Sequence, residues 1–356
     1  MDIVNFYAGP AILAKEVLEE AQASIGDFKG MGLSILEVSH RSKQVVEVMD
    51  EAQTRVRSLL NLPDDYAVLF LTGGASSQFY MSAMNLLGEG QSAAYLDTGS
   101  WSSKAIKEAK LFGNIDVVAS SKDKNYSYIP TGYTINPDHR YLHLTSNNTI
   151  YGTQIHNCPE TDVRLVSDMS SDIFSRTIDV NRYDLIYAGS QKNLGPAGTT
   201  LVIVKKDVLN KVNRTLPSML NYQTHIDKDS SFNTPPVYAI YVSMLSLRWL
   251  EKNGGIKSMQ KYNEEKAALL YDEIDRNGLF QGSAAKEDRS LMNVCFLPTV
   301  EDHKDPFIKK ALEAGLVGIA GHRSVGGFRA SIYNAMSKDG VQRLVDVMKD
   351  WEKTNG

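Results

Sequence analysis

Asp184-Leu-Ile-Tyr-Ala-Gly-Ser-Gln-Lys-Asn-Leu-Gly-Pro-Ala-Gly198 is the stretch whose reading decides the fold. Leu185 to Ala188 are apolar and predict a short buried strand. Gly189, Gly195, Pro196 and Gly198 then break the chain into a loop. A second β-rich run, Thr199-Thr-Leu-Val-Ile-Val204, follows at once. Lys192 therefore stands where a strand runs out, among small residues that let a flat aldehyde cofactor come close. Lysine amines form Schiff bases with pyridoxal phosphate, an electron sink for amino-acid carbanions. Upstream, Arg164-Leu-Val-Ser-Asp168 predicts another strand, ending in a carboxylate. Asp168 and Lys192 are 24 residues apart, about one strand–crossover–strand step. Adjacent parallel strands would then offer a carboxylate to a pyridine nitrogen and an amine to an aldehyde. The plain alternative is a solvated loop lysine and a turn aspartate, since lysines are mostly exposed.

The remaining chain frames that choice. Its 356 residues favour two domains, and 42% hydrophobic with 22% charged residues describes a globular protein with ample core. A formal net charge of −4 argues against nucleic acid, so an anionic substrate must be held by local Arg and His clusters. Cys158 and Cys295 lie far apart without metal-ligand spacing and read as buried free thiols, as in a reducing cytoplasm. No basic region followed by an apolar run opens the chain, so no signal peptide is expected. No stretch approaches the length of a membrane span.

From Tyr66 onward strands and helices alternate, predicting a mainly parallel sheet with helices on both faces. Strands are expected at 66–71, 92–96, 116–119 and 141–145, then at Asp168 and Ala188. Helices are expected at 11–24, 45–60, 77–87 and 102–111. From Pro235 the pattern changes to two long helices, about 237–251 and up to Asn277, followed by a smaller α+β unit.

Several loops at predicted strand ends carry chemistry. Thr72-Gly-Gly-Ala-Ser-Ser77 opens a helix and suits a single phosphate, through backbone N–H groups and the helix N-terminus. It lacks the ending of a nucleotide-triphosphate loop and the spacing of a dinucleotide fingerprint; an ordinary tight turn is the alternative. Trp101 could stack on a flat ring or simply fill core. Thr149 follows a strand and could reach a cofactor oxygen. His40-Arg41 and Gly321-His-Arg-Ser324 are cationic groupings, and Arg329 falls inside the predicted strand 328–333, where a buried charge needs an anionic partner. A guanidinium fork recognising a carboxylate explains it best. His139, His143 and His156 have no completing Cys or carboxylate, so no metal site is expected.

Taken together, the chain resembles the phosphoserine aminotransferase family, class V, fold-type I enzymes dependent on pyridoxal 5'-phosphate. The resemblance runs essentially along the whole length. It is carried by Asn5-Phe-Tyr-Ala-Gly-Pro10, Glu37-Val-Ser-His-Arg41, Tyr187-Ala-Gly-Ser-Gln-Lys-Asn-Leu-Gly-Pro-Ala-Gly198, Phe232-Asn-Thr-Pro-Pro236 and Gly321-His-Arg-Ser-Val-Gly-Gly-Phe-Arg-Ala-Ser-Ile-Tyr-Asn-Ala-Met336. It implies an α/β fold, with a mainly parallel seven-stranded sheet in a large domain (16–254) and a small α+β domain (1–15 with 255–356).

The resemblance also implies roles. Lys192 would carry the cofactor and Asp168 would pair with its ring nitrogen. Trp101 would stack on the ring, Thr149 and Gln191 would bind its polar edge, and Ala75 and Ser76 its phosphate. Asn233 and Thr234 would reach the partner subunit's cofactor in a homodimer. His40, Arg41, His322, Arg323 and Arg329 would contact the substrate's carboxylate and phosphate. The implied reaction exchanges 3-phosphohydroxypyruvate and L-glutamate for O-phospho-L-serine and 2-oxoglutarate, in serine biosynthesis. 4-Phosphohydroxy-L-threonine stands as a further candidate substrate, in pyridoxine biosynthesis. Some members carry Arg where this chain has Ser76, so phosphate binding here leans more on backbone amides and the neighbouring subunit. Another enzyme of the same class, such as an alanine–glyoxylate aminotransferase, is the closest rival. A desulfurase would need a mobile reactive Cys, and neither cysteine lies in a Gly/Ser-rich lid. On its own, Thr234 also reads as the cap of a helix begun by Pro235.

Overall fold

A computed structural model describes residues 2–356. Seven strands make the central sheet: β1 (Tyr66–Leu71), β2 (Ser92–Asp97), β3 (Asn114–Ser120), β4 (Leu142–Thr145), β5 (Leu165–Asp168), β6 (Tyr183–Gly189) and β7 (Thr200–Lys205). Their spatial order is β1-β7-β6-β5-β4-β2-β3. Only β7 runs antiparallel to its neighbours, β6 and β1; the other pairings are parallel. The antiparallel strand follows from the short loop 190–199, which turns the chain straight back, whereas a parallel return needs a longer crossover. β1, β4, β5 and β6 are buried along their whole length. This explains why β1 and most of β6 read as apolar runs rather than alternating ones.

Helices α1 (Lys15–Gly26), α2 (Lys43–Leu60), α3 (Gly74–Leu86), α4 (Ser100–Ala109), α5 (Val237–Lys252) and α6 (Gly255–Arg276) cover the sheet or flank it. One apolar layer joins the helices α1, α2 and α5 to residues such as Leu142, Leu165 and Ile203. The opposite layer joins α3 and α4 to Tyr95, Val166, Tyr187 and Val202. A separate core gathers Val4 and Phe6 with residues between Ala267 and Trp351. That core encloses the antiparallel strands β8 (Phe280–Gly282), β9 (Asn293–Pro298) and β10 (Phe328–Ser331), with α7 (Lys304–Glu313) and α8 (Lys338–Asn355). Each fully buried aliphatic or Phe side chain contributes roughly 1.5–3 kcal/mol, so all three layers are substantial.

Two local expectations are corrected, Thr234 as a helix cap and Cys158 as a buried thiol, and one crossover stands apart. The crossover from β5 to β6 has no α-helix, only turns and a 3-10 segment, Val180–Arg182. Ser170, Ser171, Asp172 and Ser175 lie in it, and small polar residues favour turns. α5 starts at Val237, with Pro236 at its N-cap and no side-chain cap bond. Thr234 is therefore not a helix cap, because two successive prolines hold the chain away from helical geometry before Val237. Cys158 is only part-buried, while Cys295 is buried; both are free. Among the described residues no helix is long and apolar enough to cross a membrane, and no His/Cys/Asp/Glu group could hold a metal ion. His143 instead stacks on Tyr95 with centroids 4.6 Å apart. Its Nε2 meets the Tyr187 hydroxyl at 2.9 Å, and burial pushes its pKa down to about 3.

Candidate active site

Asp168 and Lys192 meet at the carboxyl ends of β5 and β6, which are parallel neighbours with Asp168 in register with Tyr187. Ligands of open α/β sheets bind beyond the carboxyl ends of the strands. The loop after β6 is closed on itself: the Gly195 amide donates to the Ser190 carbonyl at 2.7 Å, and the Ser190 amide to Thr199 at 3.1 Å. Gly189 has no Cβ where the Gln191 amide oxygen would lie 2.6 Å from one, so Gln191 can fold back over the strand end. On one side of Lys192, the Gln191 carbonyl accepts from the Ala11 amide at 2.9 Å. On the other, the Asn193 side chain donates to the Ile173 carbonyl at 2.6 Å and accepts from the Asn334 amide at 2.9 Å. The lysine is thus braced by three distant segments.

Lys192 Nζ donates to Thr149 Oγ1 at 2.7 Å. Burial pushes its pKa down to about 8, with Asp168 and Asp172 opposing that shift and Arg329 reinforcing it. An amine near neutrality is what a nucleophilic or proton-transferring lysine requires. Asp168 is buried, 5% exposed. Its Oδ1 accepts from the Ser170 amide at 2.9 Å, and among the described residues no hydrogen bond is made to Oδ2. Burial pushes its carboxyl pKa up, while Lys192 and Ser170 pull it back. Asp172, which sequence reasoning missed, is held by Ser146, by Gln154 at 3.1 Å and by Arg176 at 3.4 Å. No sequence signal marks it, because its partners come from β4 onward and from the crossover.

Trp101 lies in the first turn of α4, its ring centre 5.7 Å from Lys192 Nζ. Its indole Nε1 is buried and, among the described residues, without a partner. Ala75 and Ser76 lie in the first turn of α3, which begins at Gly74 after Gly73 at φ +100°. Only glycine adopts that left-handed geometry readily; it leaves the helix's first N–H groups free for an anion. From the separate core of Val4 and Phe6, β10 carries Arg329, whose Nη1 donates to the Thr149 carbonyl at 3.4 Å. Its Nε is buried without a partner. Among the described residues none of Arg41, Arg323 and Arg329 pairs with a carboxylate. Burial and the charges of Arg329, Arg323 and Lys104 lower the pKa of His322.

The chain therefore brings Asp168, Thr149, Trp101, Lys192, His322 and Arg329 into one region. His40 and Thr234 lie elsewhere, in a surface cleft of about 530 Å³ that they line with Gly198 and Pro236. Arg41 and Asn233 flank that cleft in the chain. A buried amine, a buried carboxylate with a free oxygen, an open helix start, a free indole N–H and a guanidinium unpaired by any acid fit a flat, anionic aldehyde cofactor.

The family model described as Aminotransferase class-V matches residues 3–344. A phosphoserine aminotransferase of Parabacteroides distasonis is 59% identical over 351 residues, 98% of both chains. The solved phosphoserine aminotransferase of Bacillus circulans subsp. alkalophilus superposes with a TM-score of 0.96 at 46% identity, covering 100% of this chain and 99% of that one. A pyridoxal-phosphate-bound phosphoserine aminotransferase from Trichomonas vaginalis gives 0.93 at 36%, covering 98% and 100%. The chain belongs to the class V aminotransferases and, within them, to the phosphoserine aminotransferases.

Proposed function

We propose that this protein transfers an amino group between O-phospho-L-serine (formed from 3-phosphohydroxypyruvate) and the 2-oxoglutarate/L-glutamate pair, using pyridoxal 5'-phosphate. The observation that carries the chemistry is the Lys192 amine beside Thr149, at the end of the strand next to Asp168. When bound, the cofactor supplies an electron sink for charge at the substrate's Cα and an aldehyde that stores the amino group between half-reactions.

On this reading residues 16–254 hold the cofactor, and residues 1–15 with 255–356 bring up Arg329. Lys192 Nζ would take the proton from the substrate's Cα and hold it for return, as base and then acid. Asp168 holds the ring nitrogen through its free oxygen. Trp101 covers the ring, Thr149 and Gln191 bind its polar edge, and Ala75 and Ser76 hold the phosphate. Arg329 takes the α-carboxylate common to both amino acids. His322 and Arg323, with the partner's copies of His40 and Arg41, take the distal phosphate or carboxylate. Unpaired cations in a chain of net charge −4 favour a phosphorylated substrate over glyoxylate and alanine. Assays of phosphoserine, alanine and 4-phosphohydroxy-L-threonine with their keto-acid partners test the choice. Robust alanine–glyoxylate exchange with no phosphoserine turnover would overturn it.

Arg329→Leu is expected to raise KM for both glutamate and phosphoserine. Losing a bidentate, charge-assisted contact costs on the order of 2–5 kcal/mol, including the anion left unpaired. Steady-state kinetics with each substrate check this; an effect on phosphoserine alone would make Arg329 a phosphate ligand.

The reading also requires a homodimer. Leu33, Leu36 and Phe232, all exposed by more than 40%, lie on or near the segments that form the cleft of His40 and Thr234; exposed apolar groups of this kind mark interfaces. If Asn233 and Thr234 complete the partner's phosphate cradle, Lys192→Ala chains mixed with Asn233→Ala/Thr234→Ala chains restore activity. One site of each mixed dimer then carries both lesions and the other none, so about half the wild-type activity per dimer returns. Two inactive parents that exchange subunits without recovery would confine each site to one chain.

A further inference from the structure

We propose that Lys104 is an additional anion-binding residue of this site, taking the phosphate group of a phosphomonoester substrate beside His322 and Arg323. The inference rests on the substrate reading above. Lys104 lies three residues beyond Trp101 on α4, so the two side chains are neighbours on one helix face. Its Nζ stands 4.3 Å from the centre of the Trp101 ring, a cation–π distance. Lys192 Nζ approaches the same ring to 5.7 Å. The indole thus links an exposed ammonium to the immediate surroundings of the reactive lysine.

Packing brings the other cations to the same place. Trp101 and Val325 both pack against a small apolar cluster of Tyr126, Ile150 and Tyr151. Val325 sits two residues after Arg323 and three after His322, in a turn that the Val325 and Gly326 amides close onto the His322 carbonyl. The charges of Arg329, Arg323 and Lys104 all bear on His322. Lys104 is exposed and, among the described residues, pairs with no carboxylate. The nearby Asp97 is engaged by Ser103 at 2.6 Å and Ser120 at 3.0 Å, not by a cation. Positive groups gathered and left unpaired by acids attract and steer an anion from solution. A phosphomonoester carries about −1.5 to −2 at neutral pH, against one charge on a side-chain carboxylate. Lys104 therefore favours the phosphorylated member of the substrate pair.

The test compares wild type, Lys104→Gln and Lys104→Arg holoenzymes at roughly 0.01 M and 1 M ionic strength, where screening lengths are about 30 and 3 Å. At low salt, kcat/KM for O-phospho-L-serine is expected to fall about 5-fold in Lys104→Gln, as for a single exposed charge contact. The fall for glutamate is smaller, the gap closes at high salt, and Lys104→Arg keeps most of the wild-type value. Calorimetric titration with inorganic phosphate should weaken by a similar factor in Lys104→Gln. Equal, salt-independent losses for both substrates would show that Lys104 only props the indole, and unchanged kinetics with unchanged phosphate binding would show no role; either overturns the proposal. If wild type fails to turn over phosphoserine, the substrate reading falls by itself, and the phosphate titration still decides on Lys104.

Discussion

Replacing Lys192 with alanine is expected to lower turnover at least about 1,000-fold while leaving the fold intact. The size follows from removing both the covalent attachment point and the proton carrier, each worth orders of magnitude in rate. The fold should survive because the loop is held by its neighbours' backbone and by Asn193, not by the lysine side chain, whose one hydrogen bond goes to Thr149. Lys266, whose pKa burial pushes down to about 7, cannot substitute. Its amine is committed to the carbonyls of Ile332 and Tyr333, at 3.0 and 2.7 Å. Single-turnover absorbance changes with glutamate and with phosphoserine, together with a thermal melt, make the measurement. Activity above a few per cent of wild type sinks the assignment. The same lysine sets a pH dependence. With a pKa of about 8, its neutral, reactive fraction is near a tenth at pH 7 and grows as pH rises through 8. Capture of pyridoxal phosphate by the apoprotein should accelerate over that interval, whereas an ordinary lysine would still be protonated there.

The parts of this molecule that could be read from the sequence are those whose cause is local. Leu185 to Ala188 and Thr200 to Val204 are buried on both faces of the sheet, so their apolar runs announce strands without any knowledge of neighbours. Lys192 was legible because Gly189 and the Gly-Pro-Ala-Gly frame mark where the strand must stop. Asp168 was legible because a carboxylate ending an apolar run is unusual. The bracing of Lys192 was not legible: Asn193 meets Asn334 across 141 residues of chain, and neither residue carries a local mark. Lys104 was overlooked because an exposed helical lysine is ordinary, and only the folded loop of Val325 puts it near His322. Asp172 was not legible either: its carboxylate reaches Ser146, Gln154 and Arg176, and no local signal marks those partners. Asn233 was named through family resemblance alone, and so were the site roles given to His40, Arg41 and Thr234. One chain places them at or beside a cleft that Lys192 does not line, and the proposed dimer would bring a partner's copies to the site.

Asp168→Asn is expected to keep the cofactor and the fold but to slow both half-reactions about 100-fold or more. The substitution is nearly isosteric, and an asparagine Oδ1 can still accept from the Ser170 amide that now holds Asp168 at 2.9 Å. Lost is the negative charge beside the ring nitrogen. A carboxylate there stabilises the protonated ring, so that charge developing at the substrate's Cα can spread into it; an amide offers an N–H where a proton acceptor is needed. Removing one preorganised electrostatic group typically costs 100- to 1,000-fold in rate. Because the ring nitrogen serves glutamate and phosphoserine alike, both half-reactions should slow by the same factor. Arg329→Leu, by contrast, acts on binding and raises KM. Removing Asp168 also withdraws a charge that holds the Lys192 pKa up, so the amine should titrate lower in the variant than in wild type. The pH at which the apoprotein begins to capture pyridoxal phosphate should move down accordingly. Rapid-mixing absorbance traces for each amino acid, repeated across pH, test both statements. Unchanged half-reaction rates would assign the ring nitrogen to another group. A capture profile that moves up in pH would mean that Asp168 is not the charge acting on Lys192.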